Sequence, residues 1–311
     1  LQLPSVEITT VRPYRLLPLL CLILLLHPVT ASACPPAGYT RAELLHLKQT
    51  QFAVEDDDRR NRLATALLVC TDDPDPAIRD GIVYEGLATW LRGGQLTAAT
   101  VSHLRDGLLE QLGAPEDPGG FRKPFAALIL AEVARTDRIE PSFTPAQREQ
   151  LVQAASAYLS GVRDYRGFSA SEGWRHGVAH GADLALQLSL NPELHAEQVH
   201  RLLSAIAGQV APPGEVFYIY GEPGRLARAA FYALRREDMP LRDADAWLQG
   251  LVDPAPLETW SDAYASQAGL ARRHNTLGFL QALHLSASTA GDEPGAALAA
   301  LVLEAIRQVQ G

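Results

Sequence analysis

The sequence predicts an all-α protein, because helix signals run along most of the chain and strand signals are sparse. Two capping boxes, Thr40 with Glu43 and Thr144 with Gln147, each precede an apolar run. Apolar residues recur at helical spacing in stretches such as NRLATALLVC, GIVYEGLATWL, FAALILAEVA and AALAALVLEAI. The stretch EVFYIYG, at residues 215–221, is the single candidate strand. We therefore expect about a dozen helices joined by short turns rich in Pro, Gly and Asp.

The N-terminal segment has the features of a secretory signal. Arg12 and Arg15 precede the apolar run LLPLLCLILLL, which is too short to span a bilayer comfortably but is typical of a signal sequence. The small residues Ala-Ser-Ala follow at 31–33, where a signal peptidase would cut. We therefore predict a signal segment at 1–33, a single all-α domain at 34–311, and a periplasmic or secreted location.

Cys34 lies directly after the predicted cleavage site and has two alternative fates. Lipidation, as in bacterial lipoproteins, would attach the protein to a membrane. A disulfide with Cys70 would suit an oxidising compartment equally well. With Cys21 in the predicted signal segment, only these two cysteines remain after cleavage, so the fold must depend on a hydrophobic core rather than on a disulfide framework.

The composition and the absence of familiar motifs exclude several classes of function. The formal net charge is −9 and no run rich in Lys or Arg occurs, so nucleic acid is not an expected partner. The sequence also lacks a Gly-x-Ser-x-Gly elbow, a phosphate-binding loop and a dinucleotide-binding glycine motif.

The density of helices predicts an α-α superhelix of stacked antiparallel helix pairs. A pair every ~45 residues lies within the range of HEAT-like repeats. The segment DPDPAIRDGIVYEGLATWL resembles such a repeat, with Asp75 and Pro76 in the turn and Arg79 one turn into the helix. A closed α/α toroid of helix pairs is the alternative, because the number of helices does not separate the two architectures.

The most informative stretch is GWRHGVAHGADLALQLSLNP, at residues 173–192. When residues 172–188 are placed on a helical wheel, a single polar stripe emerges. Its members are Glu172, His176, His180, Asp183 and Gln187. Gly177 and Gly181 share a separate strip, which indicates that another backbone passes close to this helix.

Three interpretations of the stripe remain open. His176 and His180, four residues apart, would reach one zinc ion with Asp183 as the third ligand, leaving a position for water. Without metal, the same residues and Glu172 would be candidates for acid and base catalysis. The interpretation we favour is a buried network in which the histidines hydrogen-bond to acids or carbonyls of neighbouring helices. The pattern also lacks the glutamate of a His-Glu-x-x-His zinc protease.

Two further segments supply candidate binding residues. In DYRGF, at residues 164–168, Asp164 and Arg166 would pair, and the loop either shapes the mouth of a pocket or simply connects helices. In YIYGEPGRLARAAFYALRR, two arginines one turn apart would bind an anion or pair with the acidic stripe. The candidate binding residues are Trp174, Arg166, Glu222, Arg225 and Arg228.

These segments resemble the bacterial domain-of-unknown-function family 2785. The resemblance lies in DYRGF, in GWRHGVAHGADL followed by Asn191 and Pro192, and in the Arg-Leu-Ala segment at 225–227. It implies an all-helical fold over most of the chain after the signal segment. It implies no catalytic role, since the family has no assigned activity.

Two functional hypotheses follow. The first is a binding module, because repeat stacks form concave surfaces that hold a protein, a peptide or a small molecule. Its polar centre would be the histidine stripe. The second is a hydrolase in which His176, His180 and Asp183 hold zinc or act as acid and base.

Overall fold

The computed structural model describes residues 34–311, and the predicted signal segment lies outside the described residues. The all-α prediction is confirmed for this part of the chain, which contains thirteen α-helices and two short strands. The helices are α1 (Arg41–Gln49), α2 (Asp57–Ala66), α3 (Pro76–Ile78), α4 (Glu85–Arg92), α5 (Ala98–Leu112), α6 (Arg122–Ile139), α7 (Pro145–Gly161), α8 (Gly177–Ser189), α9 (Ala196–Val210), α10 (Glu222–Leu234), α11 (Leu241–Val252), α12 (Gln267–Ser288) and α13 (Glu293–Gln310).

Both predicted capping boxes are present and set the starts of their helices. The Thr40 hydroxyl accepts a hydrogen bond from the Glu43 backbone N–H at the start of α1. Thr144 and Gln147 form the same reciprocal pair before α7. Each box satisfies backbone N–H groups that the first turn of a helix leaves without a partner.

Short irregular elements join the helices. A π-helical segment, Arg79–Tyr84, joins α3 to α4 without a break in the helical backbone. Two 3-10 turns occupy Leu67–Cys70 and Trp260–Ala265. The two strands, β1 (Phe168–Ser169) and β2 (Gly173–Trp174), form a small antiparallel hairpin. This hairpin lies directly before α8 and was not expected from the sequence.

The candidate strand at residues 215–221 is an extended loop rather than a strand. Two of its backbone groups are paired with one side chain, because Asn275 accepts from the Tyr218 N–H at 2.9 Å and donates to the Val216 carbonyl at 2.8 Å. Asn275 is completely buried on α12. The amide thus replaces the partner strand that such a segment would otherwise need.

The helices pack in two rows. Helices α4, α6, α8, α10 and α12 form one row in which each packs on the next, and α5, α7 and α9 form a second row. Within residues 34–311, the first helices do not pack extensively on the last ones, so the rows do not close into a ring there. The assignment of HEAT-like repeats stays a prediction. In the same range, no helix combines the length and the apolar character needed to cross a membrane.

A disulfide joins Cys34 to Cys70, with their Cα atoms 5.0 Å apart. It ties the start of the described chain to the buried 3-10 turn that follows α2. Of the two fates predicted for Cys34, the structure contains this one. A lipid thioether would use the same Sγ atom, so lipidation applies only to a chain that lacks the disulfide.

Candidate functional site

The histidine helix, α8, begins at Gly177, one residue later than His176. His176 has φ 54° and ψ 39°, the left-handed region that a histidine adopts more readily than most side chains. Its N–H donates to the Arg166 carbonyl at 3.1 Å, and the Arg175 N–H donates to the Gly167 carbonyl at 3.0 Å. The chain before α8 therefore pairs with the DYRGF loop instead of continuing the helix.

The predicted stripe is wrong at its N-terminal end for this reason. Glu172 lies in the hairpin turn, where its carboxylate pairs with Arg175 at 3.1 Å and is about half exposed. The stripe from His176 onward is retained. Gln187 accepts a hydrogen bond from Arg138 of α6 at 3.2 Å.

His176 and His180 are neighbours in a tight seam between α8, α6 and α10. Their ring centroids are 5.7 Å apart, and the two residues are only 8% and 7% exposed. The Trp174 indole stacks on the His176 ring at 4.7 Å. Phe125 of α6 meets the His180 ring edge to face at 5.4 Å. The His176 imidazole thus lies beneath Trp174, and the His180 imidazole lies against the core.

Burial keeps both imidazoles neutral at pH 7. Burial, reinforced by the Arg225 charge, lowers the pKa of His176 to about 4, although a hydrogen bond to the Tyr220 backbone opposes the shift. Burial and the nearby His176 lower the pKa of His180 to about 3, against a hydrogen bond to the Pro124 backbone. The two opposing contributions come from one backbone group beside each ring, that of Tyr220 for His176 and that of Pro124 for His180. Among the described residues, His176 Nε2 and His180 Nδ1 have no partner.

Asp183 faces Arg225 of α10 and forms an ion pair with it. Burial raises the pKa of Asp183 despite the opposing charges of Arg225 and Arg228. Arg228 is exposed one turn further along α10, and its side chain has no hydrogen-bond or ion-pair partner among residues 34–311. Of the two predicted arginines, Arg225 is therefore paired with Asp183 of the stripe, whereas Arg228 has no ion pair of its own in the described part of the chain.

The residues at the stripe do not fit a three-ligand zinc site. Asp183 directs its carboxylate to Arg225. No three His, Cys, Asp or Glu side chains in residues 34–311 are arranged to hold a metal ion. The spacing of His176 and His180 is compatible with zinc on an ideal helix, but tertiary pairing directs the third candidate ligand elsewhere.

Glu222 has a structural role in the loop before α10. It is 3% exposed, and its carboxylate accepts the Tyr220 N–H at 2.9 Å. Burial raises the pKa of this carboxyl group. The side chain fixes the course of the Tyr220 backbone, to which His176 is also hydrogen-bonded.

The DYRGF loop packs directly under the loop that contains Tyr220. Arg166 pairs with Asp164 through its Nε at 2.8 Å. A Cβ atom added at Gly167 would lie between 2.1 and 2.5 Å from three ring atoms of Tyr220, so this contact requires glycine. The three segments that carry the family resemblance thus converge in space.

Sequence reasoning missed the residues that hold the hairpin in place. Arg79 is completely buried at the π-helical segment and donates to the Glu172 carbonyl at 2.7 Å. Its guanidinium lies 4.0 Å from the centroid of the Phe121 ring, and that of Arg175 lies 4.2 Å away. The repeat-like position of Arg79 was visible in the sequence, but its contact with a loop 93 residues away was not.

An aromatic cluster lies on the outer side of the hairpin, and we call Phe168, Trp174 and Tyr220 the aromatic platform. The ring centroids of Phe168 and Trp174 are 5.2 Å apart, and those of Trp174 and Tyr220 are 6.0 Å apart. Phe168 is 51% exposed and Trp174 is 36% exposed. Trp174 was a predicted binding residue. Phe168 was missed, because it becomes a neighbour of Trp174 only through the register of the hairpin.

Comparison with known proteins adds a family but no activity. The family model described as "Protein of unknown function (DUF2785)" matches residues 108–285, more than half of the chain. This range contains the DYRGF loop, the hairpin, α8 and the arginines of α10. No curated protein and no solved structure matches the chain. The chain belongs to the DUF2785 family.

Proposed function

We propose that this protein is an exported binding protein whose ligand docks on the aromatic platform. The observation that carries the proposal is the exposure of Phe168 and Trp174, two large apolar side chains side by side on a two-stranded hairpin. Exposed apolar clusters commonly mark interaction sites, and tryptophan is enriched among the residues that dominate binding energy.

The platform is held rigidly before any ligand arrives. The His176 ring stacks beneath Trp174, and the Arg79 guanidinium is bonded to carbonyls on both sides of Gly173. A preorganised surface loses less conformational entropy on binding than a mobile one. The buried polar centre predicted from the sequence then has a role as the support of the platform.

Positive charge on α10, the helix that follows Tyr220, points to the chemistry of the ligand. Arg225 is close enough to His176 to lower the pKa of that imidazole, and Arg228 follows one turn later on the same helix. Arg228 has no hydrogen bond or ion pair within the described chain, although its charge acts on Asp183, which is paired with Arg225. We therefore expect a ligand that presents a ring to Trp174 and an anionic group to Arg228.

Two observations argue against the hydrolase alternative. A histidine with a pKa of about 4 or about 3 is a weak base at neutral pH, whereas an efficient general base has a pKa near the working pH. The unpaired ring nitrogens are also inaccessible to solvent. The Trp174 indole covers the His176 ring, and Phe125 packs against the His180 ring.

Export is supported by the N-terminal sequence and by the disulfide. The basic residues, apolar run and small residues before Cys34 have the order of a secretory signal. The disulfide between Cys34 and Cys70 suits the periplasm or the extracellular space.

The test is a calorimetric titration of the purified protein with ring-bearing carboxylates, for which we name benzoate, indole-3-acetate and glucuronate. We expect at least one to bind, with affinity reduced about tenfold or more by Trp174→Ala and by Arg228→Gln. Tyr264→Ala is the matched control, since Tyr264 is 64% exposed on the distant turn Trp260–Ala265. The proposal would be refuted if no probe bound, or if Trp174→Ala and Arg228→Gln both left the affinity unchanged.

A further inference from the structure

A cavity separate from the aromatic platform opens between the ends of four helices. Its volume is about 350 Å³, a size typical of small-molecule sites. The C-terminal ends of α5 and α7 and the N-terminal ends of α6 and α8 surround it. Its lining residues include neither His176 nor His180 and none of the three platform residues, so it is distinct from the aromatic platform.

The walls of this cavity are mainly apolar. The side chains that form them come from α5, α7 and the loop after α7, and they are Leu109, Leu112, Ala154, Ala157, Tyr158 and Val162. The Tyr158 hydroxyl donates to the Gly177 carbonyl at 3.1 Å, which leaves the ring to line the cavity. An occupant of these walls must therefore be largely apolar.

The two acids at the rim are already satisfied. Asp117 accepts backbone N–H groups at the start of α6, with distances of 3.1 Å from Gly120 and 2.9 Å from Lys123. Asp164 is paired with Arg166. Neither carboxylate is left to bind a cationic ligand.

The two cations at the rim are not neutralised. The Lys123 side chain has no partner among the described residues. Arg163 donates to the Ser160 and Val162 carbonyls and pairs with no carboxylate in residues 34–311. Among the charged residues that line the cavity, Asp117 and Asp164 are engaged by other groups, whereas Lys123 has no carboxylate partner within residues 34–311. An anionic head can therefore pair with Lys123 while an apolar body fills the cavity.

We propose that this cavity binds an amphipathic anion, an alkyl chain carrying one carboxylate. The chain would lie against Leu109, Leu112 and Val162, and the carboxylate would pair with Lys123 at the rim. Arg163 would provide the second positive charge. This ligand differs from the ring-bearing anion of the aromatic platform in shape and in binding residues.

The experiment is a calorimetric titration of the purified protein with decanoate, using decylammonium as the probe of opposite charge. We expect decanoate to bind and decylammonium to bind at least about tenfold more weakly. Lys123→Met, which keeps the length of the side chain and removes its charge, should weaken decanoate by about tenfold or more, and Lys123→Arg should restore most of the affinity.

A second variant tests the cavity itself. Ala157 is exposed on α7 and lines the cavity, so Ala157→Trp should fill the space and abolish decanoate binding while the thermal midpoint is retained. Trp174→Ala, at the platform, should leave decanoate binding unchanged. The inference is refuted by no binding of decanoate, by equal binding of both probes, or by full binding in Lys123→Met and Ala157→Trp.

Discussion

The two buried imidazoles at the start of α8, those of His176 and His180, should make the stability of the protein depend on pH in a way that single substitutions can isolate. In the folded protein the pKa values of His176 and His180 are about 4 and about 3, against an ordinary value of 6.5. At about pH 5 the unfolded chain therefore binds a proton on each histidine, and the folded chain binds almost none. Stability that is fully present above pH 6.5 is lost as the pH falls toward the folded values.

The size of the effect follows from the same values. Between about pH 7.5 and about pH 5, protonation of a free imidazole stabilises the unfolded state by about 2 kcal/mol per histidine. Because about pH 5 lies above both folded pKa values, the figure depends little on their exact positions. Each histidine should thus account for about 2 kcal/mol of the difference in unfolding free energy between the two pH values.

The assay is urea denaturation, followed by circular dichroism, at about pH 7.5 and about pH 5. The variants are His176→Asn, which suits the left-handed backbone, and His180→Phe, which keeps a ring beside Phe125. Between about pH 7.5 and about pH 5, the unfolding free energy of each variant should fall by about 2 kcal/mol less than that of the original protein, whatever the variant's absolute stability. His103→Gln, on the exposed side of α5, is the control and should behave like the original protein.

Buried acids titrate in the opposite direction, and the comparison is designed to remove them. Burial raises the pKa values of Asp80, Asp183 and Glu222, so the ionisation of each of these groups lowers the stability of the folded protein as the pH rises. They are present in every variant and cancel in the difference. If both histidine variants keep the full acid sensitivity of the original protein, the two imidazoles are not buried in the neutral form.

Three other measurements test the fold. Gly167→Ala should destabilise the protein by about 1–3 kcal/mol because the new Cβ would overlap the Tyr220 ring. Gly161→Ala is the control, since a Cβ there meets no atom within 4 Å. Equal thermal midpoints for the two variants would contradict this prediction. Arg148→Met should cost about 3–5 kcal/mol in urea denaturation, since it removes the ion-pair partner of the Asp137 carboxylate, which is 1% exposed; a loss below about 1 kcal/mol would contradict the burial of this pair. Reducing the disulfide, whose cysteines are 36 positions apart, should lower the unfolding free energy by about 4 kcal/mol; identical denaturation curves with and without dithiothreitol would contradict it.

The helical signals were predictable because they are local. Thr40 and Glu43 are three residues apart, and their reciprocal hydrogen bonds form within one turn. The same holds for the threonine and proline that begin α7. The hairpin before α8 was not predictable from periodicity, because strands of two residues are too short to show an alternating pattern.

The candidate site was predictable in its members but not in their arrangement. The wheel correctly grouped His180 and Asp183, which lie within α8, and wrongly extended the helix back to Glu172. The backbone there turns away because Arg175 and His176 donate to carbonyls of the DYRGF loop. A wheel contains no information on such partners.

By itself, the sequence determined the all-α class, the caps of the helices, the family and the segments that form the centre of the molecule. The tertiary structure decided that His176 supports Trp174, that Asp183 is held by Arg225, and that Phe168 joins the exposed platform. The division has a physical reason. A helix is stabilised by hydrogen bonds between residues four positions apart, and these leave a periodic pattern in the sequence. The site also depends on contacts between segments that are distant along the chain, such as Trp174 with Tyr220 and Asp183 with Arg225, and these leave no pattern in the sequence.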